Sequence, residues 1–506
     1  MIKKTKFSPP IPGGVVGPSR IATINPPDGS GLTACVEDAR RAALDSDPGP
    51  AEPTIFHQLR GRLEAARNRL PPLYRDTFVQ PFIRTLDALG EQSFNFILIR
   101  DPKRERLAGQ MMDQAQAILQ QAEGFAANAT DGFQEVVSDL YDGFLSAEDR
   151  RGVSPPDKGV IPPLVKWGAP DFGPYTWPVD SLAAWQVKAG VVSLPPANIR
   201  RGLLAWSALS HETAGHDVLH ADTGLAEELA GAVAQKVQPV GNGLADYWAS
   251  RIDETASDVL GILNMGPAAG IGLIGYFRGL SAAFGGGAKL RSDGDDRDPH
   301  PADILRGYLA AETVNLLKFT GRTKWRDFIN AETDKDLDTI VLGDTEVSPE
   351  DARKSCRLVA ETLVNYKAQS LEGHSLGEIQ NWRDSDERKV RRARQTLRSA
   401  VALPQQVLSG TYAAHVVAAA VVEALSDSGN LTVIFDRMLG ILKTMHDAND
   451  AWGPLFMTHP GNLDRHVVYM RYEQDRAEGG ETENDGERDF DEIVQRRGGA
   501  RATSKD

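Results

Sequence analysis

Apolar and polar positions alternate along most of this chain with the period of an α-helix. In FHQLRGRLEAARNRL, beginning at Phe56, residues Leu59, Leu63, Ala66 and Leu70 fall on one face. Similar stripes predict helices over about 106–126, 132–145, 197–220, 224–237, 244–265, 302–319, 349–367, 384–402, 411–426 and 431–447. The most apolar stretch, 271–284 (IGLIGYFRGLSAAF), carries Arg278 and is too short to span a bilayer, so it reads as a buried helix. The one convincing strand is 185–194 (WQVKAGVVSL), β-branched, apolar and closed by Pro195-Pro196. The expected fold is therefore mainly α, with a small β element directly before the helix that starts near Ala197.

Punctuation divides the pattern into five regions. Residues 1–53 are rich in Pro, Gly and Asp and read as an extended arm. Residues 54–152 form an N-terminal helical region, 153–290 a core carrying the candidate chemistry, and 291–472 a C-terminal helical region. The tail at 473–506 is polar, acidic and expected to be disordered.

Composition narrows the function classes. Of 506 residues, 41% are hydrophobic and 25% charged, ordinary for a globular chain and incompatible with a bundle of membrane helices. The net charge of −14 lacks the basic footprint of a nucleic-acid binder, and the basic run at 389–398 reads as a solvated helix face. Cys35 and Cys356 are the only cysteines, which excludes a disulfide framework and any CxxC metal or redox pair. No apolar run follows the N-terminal lysines, so no secretory signal is expected and the cytoplasm is the predicted compartment.

The chemistry concentrates in Ser210–Asp222, SHETAGHDVLHAD, which holds His211, His216 and His220 with Glu212, Asp217 and Asp222. Imidazole and carboxylate groups are zinc ligands. On an ideal helix His211 and His216, five residues apart, point about 140° away from each other. A one-residue π-type bulge would bring them to one face, and Gly215 stands where a deformable backbone would help. Downstream, IDETASDVLG places Glu254 and Asp258 one turn apart in an apolar frame. Two carboxylates at that spacing repel each other on a helix. The pair makes sense where a cation neutralises Glu254 while Asp258 accepts a hydrogen bond from a ligand histidine.

These segments resemble the gluzincins, the thermolysin-like zinc peptidases with HExxH followed by ExxxD. The five-residue spacing in His211-Glu212-Thr-Ala-Gly215-His216 is similar to that of the dipeptidyl-peptidase III family. Asp253-Glu254-Thr-Ala-Ser257-Asp258 resembles the segment that carries the third ligand, with Asp253 replacing the usual Asn or Glu. The resemblance covers about 50 residues. It implies a zincin-like core at 153–290, a Zn2+ ion bound by His211, His216 and Glu254, Glu212 as general base and Asp258 orienting His211. It also implies a peptide or protein substrate. Two segments of the form HPxxxxR, His300–Arg306 and His459–Arg465, are similar to a segment near the substrate cleft of some zincins, although a Pro-initiated helix explains such a pattern as well. An oxyanion partner is required, with His300 the first candidate and Tyr469 or Tyr472 the second.

Other readings stay open. His216 and His220, four apart, can chelate a metal on a regular helix, or His220 serves only to support the site. His216-Asp217 resembles the HD phosphohydrolase dyad. A zincin-like protein that binds without catalysis is the rival from a different class, although it would have no need of Glu212.

Overall fold

The computed structural model describes residues 26–145, 153–158, 161–170, 173–399, 411–426, 430–449 and 452. The chain is mainly α, with two small three-stranded sheets. Among the described residues no helix is long and apolar enough to cross a membrane.

Most helices follow the sequence pattern closely. Those at Phe56–Ala66, Leu107–Glu123, Ala127–Leu145, Asp303–Leu316, Pro349–Asn365, Asp384–Ser399, Ala413–Ser426 and Leu431–Asp447 lie where periodicity predicts them. The apolar stretch at 271–284 belongs to a buried helix, Pro267–Ala283. The helix expected over 244–265 is two, Leu244–Ala249 and Ile252–Met265, because Arg251 leaves the helical conformation between them. A further long helix, Gln80–Arg100, is kinked at Gly90.

The arm is not extended throughout. Within it, Leu32–Ala43 forms a helix that buries Leu32, Cys35, Val36, Ala39 and Ala42. That stripe is short and flanked by Pro and Gly, so composition masked it. The helix packs on Pro267–Ala283, where Gly275 and Gly279 replace side chains that would meet Leu32 and Ala39. Disorder of the tail at 473–506 concerns residues outside those described.

The β element is a sheet of β1 (Leu164–Trp167), β2 (Tyr175–Trp177) and β3 (Val191–Leu194) in the order β1-β3-β2. Strand β3 pairs parallel with β1 and antiparallel with β2. Only the second half of the predicted 185–194 strand is extended; the 3₁₀ turn Asp180–Trp185 takes its start. The second sheet joins Asp293–Gly294, Ile340–Leu342 and Thr345–Val347.

One buried apolar cluster runs from the Leu32–Ala43 helix through the chain centre to Met445. A second joins the helices between Phe56 and Leu119 to the sheet through Leu164 and Val191. At the centre stand two helices. The motif helix, Leu203–His211, buries all nine of its residues. The glutamate helix, Ile252–Met265, buries every residue from Glu254 onward. Such all-round burial marks interior helices.

The motif helix begins at Gly202, whose φ of 76° and tight fit against Asn198 suit glycine alone. It has no cap from its own chain segment. Asp38 of the Leu32–Ala43 helix supplies one, accepting from Gly202 N at 2.8 Å and Leu203 N at 3.0 Å. Lost N-caps cost about 1 kcal/mol, up to about 2. Asp38→Ala is expected to lower unfolding stability by that amount in urea titration; an unchanged midpoint would refute this bridging cap.

Candidate metal centre

The motif helix does not continue as a regular α-helix. Residues Glu212–Asp217 form a π-helical turn, which absorbs the extra residue in HExxxH. Gly215 sits in this turn for a different reason from backbone flexibility. A Cβ there would stand 2.5 Å from Ser257 Cβ and 2.7 Å from Ser257 Cα of the glutamate helix. The two helices touch backbone to side chain at this point, and only glycine permits it.

The contact brings the side chains of His211, His216 and Glu254 together. His211 Nε2 lies 3.1 Å from His216 Nε2 and 3.3 Å from Glu254 Oε2. His216 Nε2 lies 3.5 Å from Glu254 Oε1. A tetrahedral ion with bonds of ~2.0–2.1 Å separates its ligands by about 3.3–3.4 Å, so the two imidazole nitrogens and the two oxygens of the Glu254 carboxylate lie close to the spacing of such a site. Among the described residues this is the one group of three or more His, Cys, Asp or Glu side chains able to hold a metal ion.

The far nitrogen of each histidine is engaged by a carboxylate. His211 Nδ1 is 2.8 Å from Asp258 Oδ1, and His216 Nδ1 is 3.1 Å from Asp253 Oδ1. Donating from Nδ1 fixes the tautomer that leaves Nε2 as a lone pair. In that state two imidazole lone pairs and a carboxylate converge on one point, which is repulsive unless a cation sits between them. Glu254 Oε2 is buried and faces His211 Nε2 at 3.3 Å and Arg306 Nη2 at 3.6 Å, a cationic setting for its charge. The donor set therefore fits zinc.

Arg306 completes the support. Its Nε and Nη2 donate to the two oxygens of Asp258, each at 2.7 Å, and its guanidinium stacks on Phe277 at 4.5 Å. The segment HPxxxxR thus lies at the site at both ends. His300 Nε2 is 3.4 Å from Glu254 Oε1, and Asp298 holds its Nδ1 at 2.8 Å. His459, Tyr469 and Tyr472 lie outside the described residues.

Glu212 points into the same cavity, a space of about 740 Å³ that also takes in Thr176, Tyr276, Phe277, His300 and Arg306. Thr176 Oγ1 donates to Glu212 Oε2 at 2.9 Å and so orients the carboxylate. Thr176 and Tyr276 carry no sequence signal, because they come from strand β2 and the Pro267–Ala283 helix.

Two alternatives lose their geometry. His220 does not chelate with His216; its Nε2 meets Asp253 Oδ1 at 3.0 Å and its Nδ1 meets Asp180 Oδ2 at 3.1 Å. Asp253 therefore lies between His216 and His220, and His220 supports the site through it. Asp217 accepts from the backbone N–H of Val179 at 3.1 Å and stays outside the cluster, so the HD dyad does not form. Comparison with family models, curated proteins and solved structures finds no match to the chain.

Burial alone would strip His211 of its charge, but hydrogen bonds and charges from Asp258 and Glu254 prevail and push its pKa up to about 10. Glu254 moves the other way. Burial raises it, yet His211, His216 and Arg306 hold it well below the usual carboxylate range. In the metal-free chain this pairing stabilises the fold fully between the free-carboxylate and free-imidazole values, about 4.3 and 6.5. That stabilisation fades as pH rises through about 10. A histidine that ligates a metal must be neutral, so zinc uptake near neutral pH expels the His211 proton. Zinc affinity, measured by chelator competition, is expected to rise about tenfold per pH unit for each proton released between about pH 6.5 and 9. An affinity that stays flat across that range would contradict the assignment.

Gly215→Ala forces the motif turn off Ser257. Overpacking of this kind costs about 1–3 kcal/mol. The variant is expected to lose stability and bind zinc more weakly, and calorimetry on both proteins checks it; wild-type affinity in the variant would show that the contact does not set the cluster.

Proposed function

We propose that this chain is a zinc-dependent hydrolase, a peptidase with a zincin-like core acting in the cytoplasm. The observation that carries the proposal is the convergence of His211 Nε2, His216 Nε2 and the Glu254 carboxylate, with Glu212 lining the cavity they face. Two imidazoles and one carboxylate are a standard catalytic zinc set that keeps a coordination position open. Two buried, unpaired cysteines accord with a reducing compartment.

A bound zinc ion would supply Lewis acidity, lowering the pKa of a water toward 7 and polarising a carbonyl. The chain's residues do the rest. Glu212, oriented by Thr176, takes the proton of the attacking water on its carboxylate and passes it to the leaving nitrogen. His300, at the cluster's rim with Asp298 on its Nδ1, would in its doubly protonated form donate from Nε2 to the oxygen that gains negative charge. Tyr276, on the cavity wall, offers a second donor, its hydroxyl. Asp258 and Asp253 keep both imidazoles in the ligating tautomer, and Arg306 holds Asp258 in place.

The cleft edge in this proposal is β2. Strand β3 is the middle strand, its edges taken by β1 and β2, whereas β2 lies at the sheet margin beside the motif turn. An extended peptide can pair with such an edge.

Metal analysis of the purified chain is expected to give about one zinc per chain, and His211→Ala and Glu254→Ala to lose it. Glu212→Gln is expected to keep the metal and lose peptide hydrolysis by at least ~10²-fold. Wild-type zinc in both ligand variants would end the metal assignment, and wild-type turnover in Glu212→Gln would end the base assignment.

A further inference from the structure

Directly behind β2 lies a second cavity of about 680 Å³, which shares Tyr175 and Thr176 with the cavity over the metal cluster. Its walls are Pro48, Pro50 and Ala51 of the N-terminal arm with Trp167, Tyr175 and Trp177 of the sheet. The position of this space follows from strand geometry. Thr176 turns toward Glu212, while Tyr175 and Trp177 turn the opposite way and donate to Asp113 Oδ2 at 2.7 and 2.8 Å.

The charged groups in the second cavity are already matched. Lys166, buried on β1, is ion-paired with Asp113 and accompanied by the Tyr175 hydroxyl at 3.0 Å. In the sheet register Lys166 stands beside Ser193, which stands beside Tyr175, so these side chains form one row on one face. At the mouth Arg104 closes on both oxygens of Glu52. With these charges paired, the walls that remain for a ligand are chiefly the indole, phenol and pyrrolidine rings, with Gln116 and the exposed Glu105 also on the lining. Clefts of this size, walled by rings with a few fixed polar groups, suit flat apolar groups.

We propose that this second cavity is a subsite for an aromatic side chain of the peptide that pairs with β2. The proposal rests on the peptidase reading above. A strand added to the β2 margin continues the alternation of the sheet. One substrate side chain then enters the metal-side cavity with Thr176, and its neighbour enters the second cavity with Tyr175 and Trp177. The N-terminal arm thereby becomes part of the specificity device, since Pro48–Glu52 roof the subsite.

The test uses the full-length chain with Glu212→Gln and alanine-rich hexapeptides carrying one Phe at successive positions. Equilibrium binding is read by fluorescence anisotropy. One position of Phe is expected to tighten binding at least about tenfold over the all-alanine peptide, the order set by burying an aromatic ring. Ala51 is exposed at the cavity roof, and Ala51→Trp fills the space. In that variant the preference is expected to vanish while the all-alanine peptide binds as before. Ala169→Trp, at a second exposed point of the wall, gives the same result if either variant folds poorly. Equal binding of all peptides, or a preference unmoved in folded Ala51→Trp and Ala169→Trp, overturns the subsite. The unsubstituted chain is then offered the same peptides. Selective binding without cleavage overturns the peptidase reading and leaves the subsite standing.

Discussion

Everything at the cluster of His211, His216 and Glu254 depends on how closely two interior helices approach at Gly215 and Ser257. A Cβ at residue 215 would overlap the glutamate helix, so the contact sets the distance between the elements that carry His211, His216 and Glu254. The π turn at Glu212–Asp217 works with that contact. It rotates His216 onto the face of His211, and the contact brings Glu254 to both. Either feature alone would leave the three side chains apart. Both helices are buried on nearly every side, so neighbouring helices hold this spacing with little freedom to relax.

The cost of the arrangement is electrostatic. His211, Glu254, Asp258 and Arg306 are all nearly inaccessible to water, where unpaired charges are expensive. The structure offsets the cost by chaining opposite charges. Arg306 grips Asp258, Asp258 engages His211, and His211 faces Glu254. A parallel chain runs from His216 through Asp253 to His220 and Asp180. Such networks are weak sources of stability compared with apolar packing, which favours a functional reason for their presence. They are a means of holding imidazole rings in one orientation and one tautomer.

The periphery shapes access to this centre. The Leu32–Ala43 helix caps the motif helix through Asp38 and braces Pro267–Ala283, the helix that supplies Tyr276 and Phe277 to the cavity. The segment that follows it roofs the space behind β2. A region that composition presents as a loose arm is thus structural on one side and the wall of a cavity on the other.

Local pattern determined a good deal of this protein. Helical periodicity located most helices within a few residues, because an apolar stripe must face a core whichever core it is. The sequence around His211 and Glu254 named the cluster, since imidazole and carboxylate at HExxxH and ExxxD spacing carry their chemistry in their identity. It also tied a shared face for His211 and His216 to a π turn, because five residues cannot otherwise place two side chains on one helix face, while leaving a regular helix with His216 and His220 paired as the alternative. What tertiary structure alone decided depends on residues distant in the chain. Thr176 meets Glu212 across 36 positions and Arg306 meets Asp258 across 48, and neither pairing has a local signature. The Leu32–Ala43 helix was hidden because its stripe is short and gains its stability from Pro267–Ala283, more than 200 residues away. Strand order was likewise beyond local reading. The most strand-like segment became the interior strand β3, and the modest triplet Tyr175–Trp177 became the margin, since a sheet places its most apolar strand where both neighbours cover it.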